Sequence, residues 1–367
     1  MLTGGAMSPI AVAKRLRRHQ RVLTRLARME RENYAGGLHL SMWRRGFFTN
    51  RVYSYPGIND PSAVFINDVR FHYRSEALNA PSARVLLNEK NVFADLLTAR
   101  GLGSYAPEVY GIVTANGLHV RSPGAHERLR SQRAVVVKPT KGHGGKGVRL
   151  ASPVEVEAMV VDPGVELLVQ EQIVQHPELA RIYPGSLNTA RVLAVRLPGD
   201  GPVLAAAVHR WGAVGTGSVD NFSSGGLCSS IDLTTGRLGP AVARSKARRR
   251  VQVDRHPDTG AQITGVLVPE WGVVRDLAIQ LMDAFPELDH VGWDLAVSDR
   301  GPRVVEGNAN MPAVSVFQFH GPFLHDPRLR DYYASKGLLP APRRTVDSGS
   351  TESVSGQLAG PNGGTHA

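Results

Sequence analysis

The stretch Gly292-Trp-Asp294-Leu-Ala-Val-Ser-Asp-Arg-Gly-Pro-Arg-Val-Val-Glu306-Gly-Asn308 decides the predicted fold. The residues from 298 to 301 favour a turn, so the two flanking segments are expected to pair as an antiparallel hairpin. A register that mirrors about Arg300 places residue 294 opposite 306 and residue 292 opposite 308. Strand alternation then predicts an apolar face and a polar face. The apolar face would hold Trp293, Leu295, Val297 and Val305, and the polar face Asp294, Glu306 and Asn308.

The polar face of this hairpin predicts a metal site. Two carboxylates directly opposed on neighbouring strands repel each other, and a divalent cation between them removes the repulsion. Oxygen ligands of this kind suit Mg²⁺, with Mn²⁺ as the alternative. Asp294, Glu306 and Asn308 are therefore the candidate metal ligands. The simpler alternative is a pair of solvated surface carboxylates.

A second motif lies upstream, where a β-branched strand ends at Lys138 and a loop with glycine at 142, 144, 145 and 147 follows. Such a loop can bring backbone N–H groups close to an anion without interference from Cβ atoms. Lys138, Lys141 and Lys146 add positive charge around it. The loop is a candidate phosphate cradle, although a flexible hairpin with solvated lysines is the alternative. It is not a Walker loop, because the lysine precedes the glycines.

Composition sets the class of protein. The chain has 367 residues, of which 42% are hydrophobic, and no apolar stretch reaches the roughly 18 to 20 residues that cross a bilayer. The length favours two or three structural units. No secretory signal is apparent, and the single cysteine, Cys228, excludes an internal disulfide, so we expect a cytoplasmic protein.

The net charge of +11 is concentrated at one end. Residues 1–51 hold eleven basic and two acidic residues, so +9 lies there and +2 in the remaining chain. Residues 9–31 have the spacing of a basic amphipathic helix. Such a helix predicts contact with an anionic partner, either the inner face of a membrane or an acidic protein. The alternative, which is more common, is that the helix docks on the protein's own body with its basic side in solvent. Nucleic acid is an unlikely partner because the basic segments lack stacking aromatics.

Between the ends, helices and strands mix. Spacing predicts helices over 82–100 and 271–284, and the final hairpin over 291–308. Six further strands are predicted at 108–113, 134–138, 147–151, 166–171, 190–197 and 203–210. Strands paired mainly by hairpins favour an α+β fold over an alternating βαβ sheet. Residues 340–367, rich in Ser, Gly, Thr and Pro, are expected to be a disordered tail.

An ordered set of motifs then resembles a known family. The set comprises Asn88-Glu-Lys90, the Lys138-Pro strand with its glycine loop, Leu167-Leu-Val-Gln-Glu171-Gln-Ile173, Asn188-Thr-Ala-Arg191, Asp220-Asn-Phe-Ser-Ser-Gly-Gly226 and Glu306-Gly-Asn308. Over residues 82–320 the chain resembles the ATP-grasp superfamily, and within it the sugar-transfer-associated proteins, which are related to the glutamate ligase that modifies a ribosomal protein. The resemblance implies the ATP-grasp fold, in which ATP lies between two α+β lobes.

The resemblance also implies roles for single residues. Lys90 and Lys138 would contact nucleotide phosphates, and the loop with Lys141, Gly142, Gly144, Gly145 and Lys146 would close over them. The hinge-like segment Glu171-Gln172-Ile173 would meet adenine, Glu178 would hold the ribose, and the three candidate metal ligands would hold Mg²⁺. The predicted 190–210 hairpin brings Arg191 and Arg210 together, so they could steady the transferred group; ion pairing with acidic residues of the same sheet is the alternative.

These inferences predict five regions and one activity. The regions are a basic helical extension (1–50), a lead-in subdomain (51–130), a small lobe with the glycine loop (131–175), a large lobe with the metal site (176–335) and the tail (340–367). The activity is an ATP-dependent carboxylate–amine ligase that forms an acyl phosphate, with a small-molecule carboxylate and an amine as substrates and polysaccharide decoration as one setting. The alternatives are a kinase on the same scaffold and a catalytically silent ATP-binding module recruited to a membrane-associated glycan assembly.

Overall fold

The computed structural model describes residues 9–32, 39–142, 144–244, 250–309 and 314–340. The predicted disordered tail falls outside these ranges except for Pro340, so it remains a prediction. The α+β prediction is confirmed, because the described residues form two antiparallel sheets with helices packed around them. Within the described part of the chain, no helix has both the length and the apolar character to span a membrane.

The small sheet has five strands in the order β2-β1-β5-β3-β4. Its strands are β1 (Val109–Thr114), β2 (Gly117–Val120), β3 (Val135–Pro139), β4 (Arg149–Ala151) and β5 (Leu167–Glu171). Val135 and Val137 of β3 pack in a core with Tyr110 and Val169, as expected for β-branched residues on a half-buried strand. Two strands, β1 and β2, come from the predicted lead-in region, so this sheet begins well before residue 131.

The large sheet has seven strands in the order β10-β9-β8-β7-β6-β11-β12. Its strands are β6 (Thr189–Leu197), β7 (Gly201–Trp211), β8 (Leu227–Ile231), β9 (Leu238–Arg244), β10 (Arg250–Val253), β11 (His290–Ser298) and β12 (Gly301–Asn308). Nearly all residues of β6 and β11 are buried, because layers cover both faces of the sheet. One core contains the helix over 271–284, and the other contains residues from 42–78 and 314–339.

Twelve α-helices accompany the sheets within the described ranges. They are α1 (Pro9–Glu32), α2 (Leu40–Arg44), α3 (Arg51–Ser54), α4 (Asp68–Arg74), α5 (Pro81–Arg84), α6 (Lys90–Ala99), α7 (Ala125–Arg130), α8 (Pro153–Glu157), α9 (Pro177–Ile182), α10 (Trp271–Ala284), α11 (Val314–Gln318) and α12 (Pro327–Ser335). The predicted basic N-terminal helix and the helix over 271–284 are confirmed.

The single helix predicted over 82–100 is wrong, because the chain breaks before Lys90. A short 3-10 turn over Val85–Leu87 follows α5, and Glu89 is extended with φ −100° and ψ 110°. The backbone N–H of Lys90 donates to the carbonyl oxygen of Thr140 at 3.1 Å. The break therefore places the first residue of α6 beside the glycine loop.

The β11–β12 hairpin has the predicted pairing at its functional end, where Asp294 lies opposite Glu306 and Gly292 opposite Asn308. Nearer the turn the register shifts, and Leu295 lies opposite Val304. The extra residue is Val305, a β-bulge that alternation cannot reveal. Because of the bulge, Val304 enters the core and Val305 lines a cavity. The prediction that Val305 belongs to the apolar face is therefore wrong.

The open end of the hairpin is held by one buried amide. Asn79 donates to the carbonyl oxygens of His290 at 2.7 Å and Ala309 at 3.0 Å, and it accepts from the backbone N–H groups of Asp289 and His290. The side chain thus joins the start of β11 to the end of β12, next to the residues that carry the predicted chemistry.

We expect Asn79→Ala to lower the free energy of unfolding by about 2–4 kcal/mol, because it leaves several buried backbone groups without partners. Chemical denaturation measures the change. Asn116→Ala, in an exposed turn, is the matched control and should change stability by less than about 0.5 kcal/mol. Equal, small effects of both variants would show that Asn79 does not anchor the hairpin.

Candidate active site

A cavity of about 770 Å³ lies between the two sheets and is lined by both of them. The small sheet contributes β3, β5 and the glycine loop, and the large sheet contributes β6, β7, β11 and β12. The cavity wall includes fifteen of the sixteen residues named from the sequence: Lys90, Lys138, Lys141, Gly142, Gly144, Gly145, Lys146, Glu171, Gln172, Ile173, Arg191, Arg210, Asp294, Glu306 and Asn308.

Glu178 is the residue that does not line the cavity. It is exposed at the second position of α9, whose next residue, Leu179, enters the core. The sequence located Glu178 only by its neighbourhood, and its carboxylate is exposed to solvent at the start of the short α9. Its predicted contact with ribose therefore has no support from this geometry.

Charges cross three neighbouring strands in one row. Glu306 on β12 pairs with Asp294 on β11, which pairs with Arg191 on β6. The Arg191 guanidinium donates to both Asp294 carboxylate oxygens, from Nε and from Nη2, at 2.7 Å each. Arg210 adds a contact from Nη2 to Asp294 Oδ2 at 3.0 Å. The ion pairing that the sequence left open as an alternative is thus present.

The two arginines decide the charge of Asp294, which is only 1% exposed. Burial alone would raise the pKa of this carboxyl, but Arg191 and Arg210 outweigh burial and hold the pKa below its ordinary value. Asp294 is therefore ionised, and its charge is balanced within the protein.

Glu306 has the opposite tendency. Burial and the neighbouring charge of Asp294 raise the pKa of Glu306, and the arginines offset this only in part. The cluster would gain from one more cation beside Glu306. Asn308 Nδ2 lies 3.3 Å from Glu306 Oε1 and 3.4 Å from Asp294 Oδ2, so the amide shares the position.

These residues fit a hard divalent cation. Asp294, Glu306 and Asn308 offer oxygen atoms at one point, since rotation of the Asn308 amide can present its oxygen instead of its nitrogen. The described residues contain no cluster of three or more His, Cys, Asp or Glu side chains that could hold a metal, so the third ligand of the candidate site is the Asn308 amide. Two carboxylates and an amide leave room for water or phosphate oxygens, as Mg²⁺ requires.

Asp220 and Thr189 complete the cluster, and the sequence reasoning gave neither a role. Asp220 Oδ2 accepts from the Thr189 backbone N–H at 2.8 Å and from its hydroxyl at 2.6 Å. Arg210 Nη2 lies 3.4 Å from Asp220 Oδ1. Burial would lower the pKa of Arg210, but Asp220 and Asp294 raise it. The sequence did contain an indication of a role for Asp220, because this residue begins the Asp220–Gly226 motif of the ordered set.

Two lysines face these carboxylates across the cavity. Lys138 is 6% exposed, and its ammonium has no hydrogen bond or ion pair with a described residue. Burial lowers the pKa of Lys138 to about 8, although Glu306 acts in the other direction. Burial likewise lowers the pKa of Lys90, whose Nζ donates to the Gly142 carbonyl oxygen at 2.8 Å. An anion between the two lysines would stabilise both ammonium groups.

The glycine loop adopts backbone conformations that require glycine. Gly145 has φ +72°, and a Cβ there would lie 2.5 Å from Val219 Cγ1 of the opposite wall. Asn221 Nδ2 donates to the Gly144 carbonyl oxygen at 3.2 Å. Lys141 and Lys146 are exposed, and Lys141 Nζ lies 3.0 Å from Glu89 Oε1. The loop therefore contacts the 219–221 segment and covers one end of the cavity.

Glu171 is engaged by the hairpin rather than directed at the cavity centre. Its Oε1 lies 2.6 Å from Arg300 Nη2 and its Oε2 2.7 Å from Arg303 Nη2. The backbone N–H of Glu108 donates to the same carboxylate at 3.2 Å. The side chain thus joins the small sheet to the turn of β11–β12, which leaves the backbone near Gln172 and Ile173 as the part open to a ligand.

Comparison with known families agrees with the two-lobed geometry. Residues 157–329 match the family model described as sugar-transfer associated ATP-grasp. This region of the chain is therefore similar to ATP-grasp proteins. The match falls on the sugar-transfer-associated family, as the sequence resemblance predicted. A search of curated protein sequences found no match.

Solved structures with a similar chain path include three enzymes. D-alanyl-alanine synthetase A from Vibrio cholerae is 11% identical with a TM-score of 0.40, over 70% of this chain and 67% of that one. The L-amino acid ligase from Bacillus licheniformis is 14% identical with a TM-score of 0.35, over 73% and 47%. N5-carboxyaminoimidazole ribonucleotide synthetase from Thermotoga maritima is 13% identical with a TM-score of 0.35, over 61% and 42%. The chain thus spans less than half of the last two proteins, and these distant likenesses indicate no substrate.

The lowered pKa of Lys138 predicts how ATP affinity depends on pH. The ammonium form would bind phosphate, so affinity should fall as pH rises through about 8 in the free protein, by up to about tenfold for each further pH unit. Titration of ATP binding between about pH 7 and pH 10 measures this.

Lys138→Arg is the matched control for this profile, because a guanidinium stays charged throughout that range. Its affinity should be independent of pH above 8 apart from a smaller contribution from Lys90. A flat profile in the unsubstituted protein, or the same decline in the arginine variant, would contradict the assignment of Lys138.

The contact between Gly145 and Val219 predicts a second effect. Gly145→Ala should raise the KM for ATP about tenfold, because the loop must shift to avoid the collision and to relieve its positive φ. Gly164→Ala is the matched control, since Gly164 also has a positive φ, +85°, but no atom within 4 Å of the added Cβ.

A double variant separates collision from general strain. Gly145→Ala with Val219→Ala removes the colliding methyl groups and should recover part of the lost ATP affinity. No recovery, or an equal loss in Gly164→Ala, would show that the close approach of the loop to Val219 has no role in binding.

Proposed function

We propose that this protein is an ATP-dependent carboxylate–amine ligase that acts through an acyl phosphate. The observation that carries the proposal is the placement of two desolvated lysines, Lys90 and Lys138, opposite the Asp294, Glu306 and Asn308 cluster in one cavity. On one wall, two ammonium groups make no ion pair with a described residue. On the other wall, the Glu306 carboxylate is only partly balanced by the arginines. A metal-bound polyphosphate between the two walls would suit both.

The phosphates, the adenine and the metal of an ATP complex have suitable neighbours in the cavity. Lys90 and Lys138 would bind phosphate oxygens, and the glycine loop with Lys141 and Lys146 would cover them. The backbone after Glu171, at Gln172 and Ile173, would meet the adenine edge, while the Glu171 carboxylate holds the two sheets together. Asp294, Glu306 and Asn308 would hold Mg²⁺, or Mn²⁺ as the alternative, which when bound offsets phosphate charge.

The two arginines suit the acceptor end. Arg191 and Arg210 direct their Nε and Nη2 atoms to Asp294 and Thr189. Their Nη1 atoms make no hydrogen bond with described residues, so each guanidinium keeps a donor for a substrate carboxylate or the moving phosphoryl group. The fixed ion pairs would hold those donors in place before substrate arrives.

The reaction would proceed in two balanced steps. A carboxylate oxygen of the acid attacks the γ-phosphorus, the bond from the γ-phosphorus to the β,γ-bridging oxygen breaks, and ADP leaves with the electron pair. An amine then attacks the carbonyl carbon of the acyl phosphate, inorganic phosphate leaves, and the amine loses a proton to solvent or phosphate. Closure of the glycine loop would keep water from the intermediate.

A carboxylate acceptor is favoured over the hydroxyl of a kinase substrate. A hydroxyl needs a general base to take its proton, whereas a carboxylate is already ionised at neutral pH. The described cavity residues include no histidine, and their four carboxylates are Glu171, Asp220, Asp294 and Glu306. Three of these are held by arginines, and the fourth, Glu306, belongs to the predicted metal site.

Isotope transfer tests the proposal directly. The protein is incubated with ATP, Mg²⁺, amines and acids whose carboxylates carry heavy oxygen. Uronic acids are the first choice, because the family description mentions sugar transfer, and amino acids are the second. Ligation predicts that ADP is released only when both the acid and the amine are present. It also predicts that heavy oxygen from the acid appears in the inorganic phosphate. A phosphorylated hydroxyl product, or phosphate without label, would contradict it.

Glu306→Gln should lower the ligation rate at least about a hundredfold, because it removes a charge next to the transferred phosphoryl group. Glu127→Gln, on the exposed side of α7, is the matched control and should retain full activity. Chelation of Mg²⁺ should stop the reaction of both proteins. Full activity of Glu306→Gln would exclude the proposed metal site.

A further inference from the structure

Helix α1 is attached to the body of the protein along one face. Leu26 is buried, and the Glu30 carboxylate accepts from the Thr49 backbone N–H at 3.1 and 3.2 Å. The ring of His19 packs against Tyr73 with centroids 5.4 Å apart. These contacts fix how the helix is rotated, so the residues on its other sides have defined directions.

A mainly apolar stripe, interrupted by one glutamine, runs along one exposed side of α1. It consists of Ala13, Leu16, Gln20, Leu23 and Ala27, which are all exposed and follow each other at intervals of three and four residues. That spacing places them in a line on a helix. Leu16 is 63% exposed and Leu23 is 58% exposed, so neither leucine is used by the fold. We name this set the leucine stripe.

Basic residues border the leucine stripe. Arg17, Arg21 and Arg28 are exposed on the adjoining side of the helix, and Arg31 is exposed one turn beyond Ala27, at the end of the stripe. Arg28 has an exposed contact with Glu32 at 3.7 Å, which screens little of its charge. The helix holds eight basic and two acidic residues, a net charge of +6 out of the +11 of the whole chain.

We propose that the leucine stripe binds an anionic membrane surface, with α1 lying flat in the headgroup region. Exposed leucines beside a row of arginines are typical of interfacial helices, whose apolar side enters the lipid while the cations meet anionic headgroups. Pairing of two copies through this face is disfavoured because it would bring arginine rows together. The proposal is independent of the reaction proposed above.

The orientation of α1 is compatible with a free active site. Arg25 lies two residues after Leu23, which on a helix places it on nearly the opposite side, and Arg25 lines the cavity. Membrane contact through the leucine stripe would therefore leave the cavity open, and the docking contacts of Leu26 and Glu30 would hold the catalytic body at the surface.

Vesicle flotation of the full-length protein tests this proposal. Binding is expected to vesicles of equal parts phosphatidylglycerol and phosphatidylcholine, to weaken as salt is raised, and to be absent with phosphatidylcholine alone. Leu16→Ala with Leu23→Ala should weaken binding at least about tenfold, since it removes the inserted side chains. Arg17→Gln with Arg21→Gln should weaken it comparably.

Matched controls use exposed residues far from α1. Val154→Ala with Val160→Ala removes two exposed apolar side chains from the small lobe, and Arg133→Gln with Arg275→Gln removes two exposed charges. Both should bind like the unsubstituted protein. No binding to the anionic vesicles would overturn the proposal. Unchanged binding of the leucine variant would also overturn it and leave a purely electrostatic surface, as for an acidic protein partner.

Discussion

The buried carboxylate of Asp294 is the group on which the arrangement of the site depends. It lies on β11, between β6 and β12, and is almost fully buried, so an unpaired charge there would be prohibitively costly. The guanidiniums of Arg191 and Arg210 balance this charge. Loss of one partner from such a cluster typically costs about 3–5 kcal/mol. The positive charges of Arg191 and Arg210 mainly offset the negative charge of Asp294. They offset the charge of the buried Glu306 only in part, so the pKa of Glu306 remains raised.

The incompletely balanced charge of Glu306 lies opposite the positive charges of the other sheet. The carboxylates lie on β11 and β12, and the lysines lie on β3 and at the start of α6. The fold therefore places negative charge on one wall of the cavity and positive charge on the other. Glu171 joins the sheets again at the turn end of the same hairpin through Arg300 and Arg303. One hairpin thus contributes the candidate metal ligands at its open end and the contact between sheets at its turn.

Much of this could be predicted from sequence because strand alternation is a local property. The pairing of Asp294 with Glu306 followed from turn chemistry alone. Three features could not be predicted in that way. The Val305 bulge changes register without changing composition, the break before Lys90 depends on a hydrogen bond to distant Thr140, and Glu178 points to solvent because α9 is short. The choice of partner for Arg191 and Arg210 also depends on the order of strands, which places β11 between β6 and β12.

Calorimetric titration with ATP, with and without Mg²⁺, tests the central claim most directly, namely that the lysines and the acidic cluster bind one metal–nucleotide complex. The account predicts tight binding only with Mg²⁺, and a loss of at least about a hundredfold when either Lys138 or Glu306 is replaced by a neutral residue of similar size in a folded protein. Binding that is equally tight without Mg²⁺, or that survives both replacements, would contradict it.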